Sequence, residues 1–148
     1  MLRTRVLSAI VLIPLAAAVV YAGGWILAGA LLVVVVRAAY ELFALMGEAG
    51  YRPALAVSAL IMAAFLVVAR FPELHLAGAV LTASVIGSLI WQLLRPPEGH
   101  PTQSWALTLG AALWLGWLIS HVVMIRDLSP SFGLGVGTRW LGLAVLVR

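Results

Sequence analysis

Five apolar runs, each close to the length needed to cross a lipid bilayer, constrain this chain more than any other feature. They cover Val6 to Ala22, Trp25 to Met46, Ala54 to Ala69, Leu74 to Leu94 and Trp105 to Ile125. A sixth run begins at Trp140 and reaches only Val147 before Arg148. Eight helical residues rise about 12 Å, against a hydrocarbon core of roughly 30 Å, so this last run is too short to span. The expected fold is therefore all-α: a polytopic membrane helical bundle with five full spans plus a truncated sixth. Residues 1–148 are expected to be a single transmembrane domain and the N-terminal portion of a larger membrane protein.

Composition agrees. The chain is 64% hydrophobic and 9% charged, where soluble domains carry about 25% charged residues. A soluble fold of this size has no interior large enough for so much apolar surface. A transmembrane barrel would alternate polar and apolar residues in strands of about ten residues, whereas these runs are continuously apolar. The net charge of +4 comes from nine arginines and no lysine. They are scattered between apolar runs, which points to membrane flanks rather than to nucleic acid. There is no cysteine, which removes disulfides, thiolate metal sites and cysteine nucleophiles.

Punctuation between the runs is strong. Gly23-Gly24 is a turn signal that makes the first two spans a tight helical hairpin. Gly47 to Pro53 is a loop whose proline suits a helix start. The third run is closed by Arg70-Phe71-Pro72, and Arg95 to Pro101 reads as a loop. The first run has the charged start and apolar middle of a signal peptide, but its length and the span that follows at once make it a first membrane helix. With the N-terminus in the cytoplasm, Arg3, Arg5, Arg52 and Arg95 lie inside and Arg70, Arg126 and Arg139 outside. This agrees with the excess of basic residues on inner loops.

Polar groups within the runs are few. Arg37 and Glu41 are four residues apart and share one helix face. They read as a structural ion pair near the cytoplasmic end of the span, with Arg37 reaching toward the headgroups, or as a hold on a phospholipid headgroup. Ser120 and His121 invite comparison with a hydrolase dyad, but neighbours on a helix point in different directions, so a packing or interfacial role is expected. His75 and His100 lie in or near loops and make no metal site. Gly133-x-Gly135-x-Gly137 has the wrong spacing and context for a dinucleotide fingerprint and reads as a loop. Gly87, Gly110 and Gly116 are candidate helix contacts. The acids are Glu41, Glu48, Glu73, Glu98 and Asp127, too dispersed to hold Mg²⁺.

The order of motifs resembles one family. Met1-Leu2-Arg3-Thr4-Arg5-Val6-Leu7-Ser8-Ala9-Ile10-Val11-Leu12-Ile13-Pro14 is similar to the start of bacterial phosphatidate cytidylyltransferases (CDP-diglyceride synthases). Ala38-Ala39-Tyr40-Glu41 resembles that family's small-small-aromatic-glutamate step late in its second span. Gly47 to Pro53 and Gly116-Trp117-Leu118-Ile119-Ser120-His121 also fit its pattern. The resemblance implies an inner-membrane enzyme that joins CTP to phosphatidic acid with Mg²⁺, giving CDP-diacylglycerol and pyrophosphate. It also implies that the catalytic groups lie in a later half: aspartates after the sixth span, a Lys-Thr loop, and a signature of Lys-Asp, His-Gly-Gly and Asp-Arg. None of these is in the chain. Glu41 matches a family position, while Arg37 stands where the family has an apolar residue.

The expectation is accordingly part of such an enzyme without catalytic, cofactor-binding or metal residues of its own. Alone it should be inactive, bind no Mg²⁺, and have membrane lipid, including phosphatidic acid, as its partner. CTP belongs to the full-length family. Two other readings remain. One is a non-enzymatic small membrane scaffold or partner subunit; the other is half of a small transporter, which would normally carry internal repeats, and none is visible.

Overall fold

A computed structural model describes residues 14–96 and 99–126. All regular structure among them is helical. Residues 14–22 form the described part of α1. It is followed by α2 (Gly24–Glu48), α3 (Leu55–Ala69), a 3₁₀ turn (Pro72–Leu74), α4 (Ala77–Leu94) and α5 (Pro101–Arg126). The start of the first run and all of the sixth lie outside the described residues. Three helices, α2, α4 and α5, are long and apolar enough to cross a membrane, and α3 is a shorter apolar helix.

The helix ends follow local chemistry. The chain breaks at Gly23, whose φ of 62° and ψ of −155° leave helical space, a conformation that costs glycine little. A side chain there would also overlap the Arg126 guanidinium. At the next junction Pro53 precedes an extended Ala54, and α3 starts at Leu55. Leu74, expected to open the fourth span, lies instead in the 3₁₀ turn, which starts at Pro72 and ends at a left-handed His75 (φ 49°). Pro101, expected in the loop, is the first residue of α5. Its missing N–H costs nothing at that position, because the first amides of a helix have no intrahelical acceptor.

The core forms where α2, α3 and α5 meet. Val35 and Ala39 of α2, Ile61, Met62 and Phe65 of α3, and Ala112 of α5 make one buried cluster. Leu66 and Ala69 of α3 and Val123 of α5 make a second. α3 and α5 run parallel in steady register. Ala54 is bonded to Thr108, Met62 lies against Gly116, and Phe65 meets Trp117 at 5.3 Å between ring centroids. A Cβ added at Gly116 would sit 2.9 Å from the Met62 Cα, so glycine sets how closely the two backbones approach. Around this contact, Ala112–Trp117 leaves α geometry for a π-helical stretch. Its wider turn, bonded i to i+5, shifts the face that α5 presents beyond it.

Candidate functional site

Polar groups gather at the end of the bundle that holds Arg52 and Arg95. α3 has no side chain of its own capping its first turn, and α5 supplies the acceptors. The Arg52 amide donates to Ser104 Oγ at 3.0 Å, and the Ala54 amide donates to Thr108 Oγ1 at 2.9 Å. Thr108 Oγ1 in turn donates to the Ser104 carbonyl at 2.7 Å, and Ser58 Oγ donates to the Thr108 carbonyl at 2.7 Å. Ser58, Ser104 and Thr108 are all buried. Lipid offers no water to the amides at a helix start, so each such bond fixes the position of α3 against α5. α4 joins the same corner at two points. Trp105 Nε1 donates to Ser88 Oγ at 3.1 Å, and Arg95 Nη1 donates to the Arg52 carbonyl at 3.2 Å. Tyr51 and His100 meet beside it at 5.6 Å.

The opposite end is held differently. Arg126, at the end of α5, donates from Nε to the Val20 carbonyl at 3.2 Å and from Nη2 to the Tyr21 carbonyl at 3.0 Å. A cation there meets the negative end of the α1 dipole. Arg70 lies over the Trp25 ring at 5.7 Å, and Trp25 meets Phe71 at 6.2 Å. Arg70 and Arg126, both expected outside, thus flank the α1–α2 junction at Gly23.

Arg37 and Glu41 form the ion pair their spacing suggests, Nη2 to Oε1 at 2.9 Å, with Arg37 also 5.4 Å from the Tyr40 ring. Both side chains are about three-fifths exposed, at 61% and 62%. Arg37 lies about 20 Å along a helix of about 37 Å. The pair therefore sits near the middle of α2 on its exposed face, where Arg37 and Tyr40 line a cavity with Leu55 at the start of α3. Ser120 and His121 do not form a dyad with each other. Ser120 Oγ donates to the Trp117 carbonyl at 2.7 Å, and His121 Nδ1 lies 2.8 Å from that same oxygen. A carbonyl can only accept, so Nδ1 carries the proton. The His121 ring stacks on Trp117 at an interplanar angle of 11°. His75 and His121 line one cavity of about 270 Å³ near the Arg126 end, walled mostly by Phe65, Phe71, Leu76 and Trp117.

Among the described residues no group of three or more His, Cys, Asp or Glu could hold a metal ion. Glu41 is engaged by Arg37. Glu48 ends α2, while Glu73 lies in the 3₁₀ turn beyond the far end of α3. Glu98 and Asp127 fall outside the described residues. The three described glutamates thus lie at separate places, the middle and end of α2 and the 3₁₀ turn, and do not gather at one point. Ser58, Ser104 and Thr108 belong to no motif in the sequence, although Ser104 and Thr108 are four residues apart in α5 and so share one helix face.

A family model described as the cytidylyltransferase family matches residues 3–136. No curated protein and no solved structure matches the chain.

Proposed function

This chain belongs to the cytidylyltransferase family, and we propose that it is the lipid-embedded N-terminal part of a phosphatidate cytidylyltransferase. The whole enzyme would join CTP to phosphatidic acid, releasing pyrophosphate and leaving CDP-diacylglycerol for phospholipid synthesis. The observation that carries this reading is the family match over residues 3–136, which takes in the opening motif from Arg3 onward and the Ala38-to-Glu41 step. In this reading α1 to α5 each cross the inner membrane, with the Arg52 end in the cytoplasm. The parallel register of α3 with α5 supports this, because α4 must then return between them.

Mg²⁺ would supply charge neutralisation on the triphosphate of CTP in the complete enzyme. The described residues offer it no donor set, so no reaction step is assigned to them. Their part is to form a lipid-side wall that presents phosphatidic acid at the membrane surface, while the catalytic carboxylates come from elsewhere in the enzyme.

The experiment has two arms. Purified chain in liposomes with labelled CTP, phosphatidic acid and Mg²⁺ is expected to give no CDP-diacylglycerol above a heat-killed control. A chimera in which residues 1–148 replace the matching part of a complete phosphatidate cytidylyltransferase is expected to make it. Turnover by the chain alone would overturn the assignment of the chemistry to another segment. A chimera that folds but stays inactive would favour the scaffold reading.

A further inference from the structure

The cavity of about 270 Å³ at the Arg126 end is lined by two histidines from distant parts of the chain. His75 closes the 3₁₀ turn before α4, and His121 lies late in α5. Each ring places Nδ1 2.8 Å from a backbone carbonyl, that of Glu73 for His75 and that of Trp117 for His121. A carbonyl only accepts, so in both rings Nδ1 carries the proton and Nε2 holds the lone pair. Imidazoles that ligate a metal are commonly set up in this way, with the second nitrogen fixed on a carbonyl. The rings are constrained further. His75 is the one non-glycine residue with a positive φ among the described residues, at 49°, and the His121 ring stacks on Trp117. Met124 lines the same cavity, three residues after His121 and so on the same face of α5.

Two imidazoles and a thioether are neutral ligands, and the thioether is a soft one. Such a set suits copper(I) better than the harder divalent ions. Charge points the same way. Most of the remaining wall is aromatic or aliphatic, and a cation there gives up water that neutral ligands replace only in part. Arg70 is the chain neighbour of the lining residues Ala69 and Phe71, and Arg126 lies two residues beyond Met124. Their repulsion scales with the charge of the ion, so a divalent ion is opposed about twice as strongly as a monovalent one. We propose that His75, His121 and Met124 form a binding site for one copper(I) ion at the end of the bundle where Arg70 and Arg126 lie. Binding displaces no proton, since both Nε2 atoms already present a lone pair. It ties the turn that leads into α4 to the end of α5, whereas the Ser88–Trp105 bond joins the same two helices nearer the Arg52 end. The inference uses the fold alone and is independent of the reaction assigned to the whole enzyme.

The test is a titration of the full chain in detergent with copper(I), kept anaerobic with ascorbate, in competition with a chromophoric copper(I) chelator. The chain is expected to withhold one equivalent, and equimolar zinc(II) should not displace it. His75→Asn and His121→Gln should each weaken binding at least about ten-fold, the lower end of the cost of losing even an outer-shell partner of a ligand. Asparagine is the choice at 75 because it tolerates the left-handed conformation. Met124→Leu should weaken copper(I) binding without loss of helical circular dichroism. His100→Gln, at the other end of the bundle beside Tyr51, should leave binding as it was. A second measurement needs no variant: copper(I) should shield His75 and His121, but not His100, from carbethoxylation by diethyl pyrocarbonate. Failure to withhold copper(I), displacement by zinc(II), or unchanged binding in any one of His75→Asn, His121→Gln and Met124→Leu would overturn the proposal. Equal shielding of all three histidines would also overturn it, since the ion would then be held by exposed imidazoles in general.

Discussion

α3 and α4 are both short apolar helices, of 15 and 18 residues, and length alone would give α4 the better claim to be a membrane helix. Their places in the bundle are reversed. α3 buries Ser58, Ile61, Met62, Phe65, Leu66 and Ala69 and is the helix around which α2 and α5 pack. α4 buries only Ser84 and Ser88, and turns Ile86, Leu89, Leu93 and Leu94 outward. In water such an arrangement would be unstable. In lipid there is little hydrophobic drive between helices, so leucine gains almost nothing by turning inward. Close backbone approach and hydroxyl bonding decide which face turns in. α3 meets Gly116 and Thr108 of its neighbour, while the inward groups of α4 are serines.

The largest expected effect breaks the α3 side of this comparison. Gly116→Leu places a side chain where even a Cβ would be 2.9 Å from the Met62 backbone. Backbone cannot give way as a flexible side chain can, so a loss of about 3 kcal/mol is expected, at the upper end of overpacking costs. The matched change in α4 is Gly87→Leu, where a Cβ would meet nothing within 4 Å. It should shift stability by less than about 0.5 kcal/mol. Reversible unfolding in mixed detergent and dodecyl sulfate micelles, followed by helical circular dichroism, reads both. Equal losses would mean that α3 is not the organising helix.

The next pair compares apolar side chains. Met62→Ala should cost about 2 kcal/mol in the same measurement, the low end for a buried methionine, because lipid lowers the transfer part and leaves the cavity part. Leu93→Ala should be nearly neutral, since Leu93 faces outward. A costly Leu93→Ala would show that something packs on the outer face of α4.

Much of this bundle was legible from residue order. The breaks at Gly23, Pro53 and Pro72 fell where turn chemistry put them, and the Arg37–Glu41 pair followed from its spacing. The facing of the helices was not legible, because a continuously apolar helix has no polar side to mark solvent. Gly87, Gly110 and Gly116 look equivalent as residues, yet of the three only Gly116 has another helix within 4 Å of its would-be Cβ. The π-helical stretch left no mark either, since Ala112 to Trp117 is apolar at any period. The polar corner could have been found. Ser104 and Thr108 share a face, and Ser58 is a lone hydroxyl inside an apolar run.

That corner gives the third comparison. Thr108 Oγ1 both accepts from the Ala54 amide and donates to the Ser104 carbonyl. Thr108→Val keeps the shape and removes both bonds, leaving a helix-start amide without its acceptor, for an expected loss of about 1 kcal/mol. Thr82 of α4 bonds only back to the Gly78 carbonyl of its own helix, at an exposed position. Thr82→Val should therefore be close to neutral. Amide hydrogen exchange should quicken at the first turn of α3 in Thr108→Val and stay unchanged there in Thr82→Val.

The smallest expected effect asks whether α4 is attached by its serines at all. Ser88 Oγ accepts the Trp105 indole N–H at 3.1 Å and also donates to the Val85 carbonyl of its own helix at 3.0 Å. The second bond serves α4 alone; the first is an interhelical link to α5. Ser88→Ala removes both but leaves a small residue, so the helices can still approach as closely. The loss should be about 0.6 kcal/mol, the average for one hydrogen bond between membrane helices. Trp105→Phe removes the donor from the other side, and with the double variant it completes a thermodynamic cycle. A coupling energy near the single loss would mean that α4 is held through this bond. A coupling near zero, with Ser88→Ala still costly, would mean that close packing of the serine face holds α4, as the glycine contact holds α3.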